Sequence, residues 1–328
     1  MGLGVQQRLA NGTIYLDTSV MDFMGLIGRI SVPSNSAGSF TDNTIIGRPI
    51  IWFWYGAAGA RRSQVTTSGN TISWDGSGGG GTLIYGVAGG GTDGPIAGNQ
   101  RRGFQIMKNG KRAIDESLFG WHMIAKGTAS GASGEAPFFV PHDPGKPPLI
   151  AIAGTVVIGI LSITAVSGGS NIKLVGGGGG VVNWYAFAEC RTASNFSRIA
   201  GCRWWINGQL AGDTSIPSLQ IVTANIVYSG GGFSNGNNGG DQVMEIATIP
   251  SGRKYAAIIS DPGFHFDSSG NGQGNGQTTT KMVAVYTQDN KMYAKGTVYS
   301  TTPGGGASPT INAPGRVHVI DVTGFDQF

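Results

Sequence analysis

The sequence predicts an all-β protein built from tandem β-sandwich-like domains, with long Gly-rich loops and little or no helix. Three observations carry this expectation. Glycine accounts for 58 of the 328 residues and gathers in clusters, among them 76–81, 176–180, 229–240 and 268–277. Between the clusters lie short runs rich in Ile, Val, Thr, Trp and Tyr, which fit a pleated, half-buried surface. No stretch of ten or more residues reads convincingly as a helix.

Taken in order, the chain opens with GVQQRLANGTIYLDTSVMDF over residues 4–23. Asn11-Gly12 is a strong two-residue hairpin signal, because both residues tolerate positive φ. A strand is expected on each side, the second ending in an Asp-x-Ser turn at Asp17 to Ser19. GFQIMKNGKRAIDESLFGW at 103–121 repeats the pattern: Gly103-Phe104-Gln105, Asn109-Gly110 and Ile114-Asp115-x-Ser117. A second correspondence pairs Trp52 and Trp74 with Trp184 and Trp205, and Leu83–Tyr85 with Ile226–Tyr228. These matches suggest a duplicated β-domain: 1–100, a related larger domain over 101–229 carrying an apolar insertion, and a C-terminal β-region over 230–328. In the last region, KMVAVYTQD and KMYAKGTVYS read as strands joined by a turn at 289–291.

The insertion contains LIAIAGTVVIGILSITAV at 149–166, eighteen residues without a charge. Its even positions through 160 are mostly large and branched while the odd ones are mostly small, a period of two. Ten of the eighteen are Ile, Val or Thr, and two glycines would weaken a helix. Pro147-Pro148 and SGGSN flank it, without the cationic or aromatic anchors of a membrane span. It is expected to be one long buried strand, or two joined near Gly159, with no stable membrane insertion. With both faces apolar, it needs cover on two sides, from a neighbouring domain or chain.

Composition narrows the function. A hydrophobic fraction of 40% and a net charge of +4 do not describe a disordered chain. Lys and Arg are scattered rather than gathered in a stripe, so no nucleic-acid partner is expected. The opening shows no secretory pattern, which places synthesis in a cytoplasm. Cys190 and Cys202 are too few for a disulfide framework. His122, His142, His265 and His318 stand in no ligand spacing, and among the carboxylates nothing in the spacing singles out a pair, neither Asp241 with Glu245 nor Asp261 with Asp267. No nucleophile elbow or phosphate loop occurs. The expectation is a non-enzyme without cofactor or metal. The candidate recognition residues are loop aromatics and amides: Phe233, Asn235 and Asn237 in one loop, and Phe264, His265 and Phe266 in another.

The opening hairpin and its second copy, GFQIMKNGKRAIDES, resemble the N-termini of minor tail proteins of long-tailed (siphovirus-like) bacteriophages, and RVHVIDVTGFDQF at the end is similar to a closing strand of such proteins. The resemblance covers about a third of the chain and brings no catalytic residues. It implies a virion structural protein of a tail tip or tail fibre, located in the phage tail and made in the host cytoplasm. Its implied partners are other tail proteins, copies of itself in a homotrimer, and a bacterial surface receptor (a glycan, a pilus or an outer-membrane component). Two alternatives are a tail-tip or baseplate protein that bridges without receptor contact, and a glycan-degrading tailspike.

Overall fold

The computed structural model describes residues 6–8, 11–17, 22–45, 50–56, 63–88, 105–108, 111–115, 119–131, 134–143, 145–176, 180–189, 203–206, 209–213, 218–228, 243–261, 265–269, 277–300 and 315–327. Within them the chain is all-β, with helical turns only at Asn43–Ile45 and Phe325–Gln327.

The strands fall into three successive sets. The first comprises β1 (Gln6–Arg8), β2 (Ile14–Asp17), β3 (Asp22–Val32), β4 (Gly38–Thr41), β5 (Ile50–Gly56), β6 (Val65–Ser68), β7 (Thr71–Trp74) and β8 (Gly81–Ala88). The second comprises β9 (Gln105–Lys108), β10 (Lys111–Asp115), β11 (Phe119–Gly131), β12 (Gly134–Pro141), β13 (Leu149–Gly154), β14 (Ile158–Val166), β15 (Gly169–Gly176) and β16 (Gly180–Glu189). The third comprises β17 (Arg203–Ile206), β18 (Gln209–Asp213), β19 (Gln220–Tyr228), β20 (Val243–Thr248), β21 (Tyr255–Asp261), β22 (His265–Ser269), β23 (Gln277–Gln288), β24 (Lys291–Ser300) and β25 (Gly315–Asp321).

Each set pairs its strands in the same order. A two-stranded hairpin comes first: β1-β2, β9-β10, β17-β18. One sheet then joins the first, last and third strands that follow, as β3-β8-β5, β11-β16-β13 and β19-β25-β21. A second sheet joins the remainder, as β4-β7-β6, β12-β15-β14 and β20-β24-β23, with β22 added to β23. The chain is therefore three tandem copies of one hairpin-plus-sandwich module. The hairpin registers agree too: Gln6 faces Asp17, Gln105 faces Asp115 and Arg203 faces Asp213. The expected hairpins thus form, and a third stands beside them, with Asn207-Gly208 between its strands and Asp213-Thr214-Ser215 after it. Grouped by pairing, the third module opens with β17 at Arg203, earlier than residue 230. The tryptophan correspondence does not survive. Trp52 lies on β5, a third-position strand, and Trp184 on β16, a last-position strand. Both strands are apolar on two faces, so they look alike in sequence while filling different slots.

The modules are joined through their first sheets. β3 pairs with β19 and with β11, and β13 pairs with β21. Each first sheet then has two buried faces. One face of the first module's sheet meets its own second sheet around Trp52, Trp54, Ile72, Leu83 and Tyr85. The equivalent faces of the other two modules share a core around Ile152, Trp184, Ile172, Val285 and Val319. The opposite faces converge on a central core: Ile51, Phe53 and Ile84 from the first module; Trp121, Leu149, Ala151 and Phe187 from the second; Ile221, Ala256, Ile258, Ile320 and Phe325 from the third.

This explains the apolar run. It is two strands, β13 in the first sheet and β14 in the second, and the chain crosses between sheets at Thr155–Val157 rather than near Gly159. Leu149 and Ala151 enter the central core while Ile150 and Ile152 enter the sandwich core. The two-sided cover comes from this chain's own modules.

Glycine also serves inside strands. Each module's first strand carries a β-bulge, at Leu26/Gly28, Met123/Ala125 and Thr223/Ile226. In the first two modules a nearby Gly lies opposite a ring: Gly28 faces Tyr85, and Gly127 faces Trp184. Inside the bulge of the third module's first strand stands Asn225, with φ of 56°. Its backbone N–H donates to His318 Nδ1 at 3.0 Å, and its Nδ2 donates to the Ile50 carbonyl at 2.8 Å, tying the third module to the first. Asn225→Ala puts a residue that tolerates the left-handed conformation less well than Asn at φ 56° and loses the Ile50 bond. A loss of about 1–2 kcal/mol is expected, against a smaller loss for Asn225→Gly, in paired urea titrations.

Candidate functional site: a polar cleft between the second and third modules

A cleft of about 640 Å³ opens where the β13 end and the β16 start meet the β21 start and the β23–β24 turn. Asp289 (φ 50°) and Asn290 (φ 58°) form that turn with two consecutive left-handed residues, the geometry a tight hairpin needs. The turn carries Gln288, Asp289 and Asn290 into the cleft, opposite Thr155 and Asn183. Thr287 Oγ1 donates to the Gly154 carbonyl at 3.0 Å and Asn290 O accepts from Ile249 N at 2.7 Å, so the wall is held from both sides.

Tyr185 and Tyr255 also line the cleft. Burial, with the nearby Asp326 charge, pushes the Tyr185 phenol up to about 12. Burial and Asp321 likewise raise Tyr255. Both phenols therefore stay protonated at neutral pH. Arg253 lies 3.4 Å from the buried Asp321, whose Oδ1 also accepts from Thr323 N at 2.7 Å. Lys254 Nζ pairs with Asp326. The cleft thus offers amides, hydroxyls and ion-paired cations. Two carboxylates line it, Asp326 paired with Lys254 and Asp289 accepting from the Gln288 amide at 3.3 Å, while Asp321 lies behind Arg253; no histidine lines it among the described residues. That inventory can hold a polar ligand by hydrogen bonds.

A second cluster has the look of chemistry. His142 Nε2 lies 2.7 Å from Ser170 Oγ, its Nδ1 lies 2.7 Å from the Asp143 carbonyl, and Tyr55 OH lies 3.2 Å from the same Ser170 oxygen. Ser170 is 0% exposed, so no substrate reaches its hydroxyl. The cluster pins the first module to the second. His318 is similarly structural: fully buried, with Nε2 3.0 Å from Ser260 Oγ and its ring 5.2 Å from Phe53. Because Nδ1 accepts from Asn225, the Nε2 proton points at Ser260.

Burial, aided by Arg316, lowers the His318 pKa to about 3, below its ordinary 6.5. The native state excludes a proton that the unfolded chain binds. Stability from this group is full above pH 6.5 and declines as pH falls towards 3, by up to about 1.4 kcal/mol per unit. Urea titrations between pH 6.5 and 4.5 should show this slope, and His318→Gln should flatten it.

Of the residues expected at a recognition site, Phe233, Asn235, Asn237 and Phe264 lie outside the described residues. His265 and Phe266 begin β22, paired with Lys281 and Thr280 of β23, and their side chains lie outside the description. Cys190, Cys202 and Asp241 lie outside it as well. Glu245 is exposed, and its carboxyl is held below the usual range by the Lys291 ammonium at 2.7 Å. Among the described residues no group of three His, Cys, Asp or Glu could hold a metal, and no helix is long and apolar enough to cross a membrane. No family model, no curated protein and no solved structure matches the chain.

Proposed function

We propose that this chain is a structural protein of a bacteriophage tail tip or tail fibre that binds the host cell surface and carries out no catalysis. The observation that carries the reading is the recurrent opening hairpin, Gln6 against Asp17 and Gln105 against Asp115, in the residues that resemble minor tail proteins. Three sheet-joined modules with shared cores suit a particle protein that must survive outside a cell. The cleft supplies a polar surface for a receptor, walled by β13, β16, β21 and the β23–β24 turn.

The test is adsorption. Purified particles are expected to contain the chain. Particles carrying Asn183→Ala together with Gln288→Ala are expected to adsorb about tenfold more slowly, roughly 1.4 kcal/mol of binding. Unchanged adsorption would remove the receptor role of the cleft, and absence from purified particles would remove the whole reading.

A further inference from the structure

We infer that the chain is a single-chain counterpart of a homotrimer, and that one copy docks coaxially on a three-fold partner through its three hairpins. The first strands of the modules meet in a cycle. The later residues of β3, Gly25 and Leu26, pair with the early residues of β11, Gly120 and Phe119. The later residue His122 of β11 bridges Ser218, just before β19, with Leu219 N donating to Trp121 O at 2.9 Å. Gln220 and Ile221, which open β19 directly after that bridge, pair with the early residues of β3, Phe23 and Asp22. Each first strand, taken for β19 with the two residues before it, therefore meets one neighbour first and the other directly afterwards, in one rotational sense. That is the contact pattern of a three-fold axis, with chain connections in place of subunit boundaries.

The central core obeys the same arrangement. The third-position strands contribute Ile51 and Phe53, Leu149 and Ala151, and Ala256 and Ile258. Large and small side chains alternate among the modules, so an exact three-fold of one module could not reproduce this packing. The contacts a homotrimer would make are made inside one chain. On this inference a single copy stands where the resemblance implies a homotrimer.

The partner follows from the hairpins. An axis that relates the first strands would set the hairpins before them in a ring. Hairpin β9-β10 contacts β3 and hairpin β17-β18 contacts β11, again one step round the cycle. Among the described residues each hairpin is a sheet of two strands, which offers edges to a further strand. A ring of three such edges fits an extended segment from each of three identical subunits, bound by main-chain hydrogen bonds.

The experiment has two arms, the second resting on the virion reading above. Light scattering of the purified chain is expected to give one copy, 33.8 kDa; a trimer would overturn the inference. A photo-crosslinking residue is then placed at Gln7, Ile106 or Trp204, the equivalent second positions of β1, β9 and β17. In assembled particles each is expected to capture the same segment of one partner protein, at one chain per three partner copies. Capture of three different proteins, or of none, would overturn the docking. Absence of the chain from particles would instead sink the virion reading and leave the light-scattering arm standing.

Discussion

Phe187→Ala is expected to destabilise the protein by about 3–5 kcal/mol and to move the melting of all three modules together. Phe187 is 0% exposed on β16, with its ring centroid 6.2 Å from that of Phe325. It stands in the core where the first, second and third modules meet. Truncation removes a full ring from that core, and the cross-paired strands β3, β11 and β19 restrict collapse around the cavity. Calorimetry reads the outcome. A single transition shifted as a whole is expected. A separate, unshifted transition for the first module would mean that the central core does not couple the modules. Ile72→Ala is a useful comparison, since Ile72 is buried in the first module's own core.

Gly127→Val is expected to cost at least about 1–3 kcal/mol, the range for forced overpacking. A Cβ at Gly127 would sit 2.6 Å from Trp184 Cζ2. The indole has little room to yield, because it stacks on Phe138 at 4.3 Å between ring centroids. The bulge at Met123/Ala125 fixes the register that brings Gly127 opposite Trp184. Chemical denaturation of Gly127→Val measures the loss, and a value near zero would contradict this packing. Gly38 opposite Trp74 is a second instance, with a Cβ 2.5 Å from the indole. Part of the glycine content thus makes room for rings within sheets.

Local features were the legible ones. Period-two spacing marked 149–166 as strand, and Asn-Gly marked the first two hairpins. The place where the run changes sheets was not legible, because side chains on both faces are apolar before and after Thr155–Val157. The third hairpin carried the same Asn-Gly and Asp-x-Ser signals, but its strands hold Arg203, Trp204 and Trp205 where the first copy holds Gln6, Gln7 and Arg8. The tryptophan spacing links unlike strands, β5 and β16, and so obscures the third repeat. The cleft was illegible for a different reason. Its residues come from separated segments around 153–155, 181–185, 249–255, 287–290 and 322–326. Only the pairing of β13 with β21, and the turn after β23, bring them together.

A map of the assembled phage tail at side-chain resolution tests the central claim most directly. One chain is predicted on a three-fold axis, its hairpins at β1-β2, β9-β10 and β17-β18 each against a subunit of the same trimer, and its cleft facing outward. Three copies arranged around that axis, or a tail without this chain, would contradict the account.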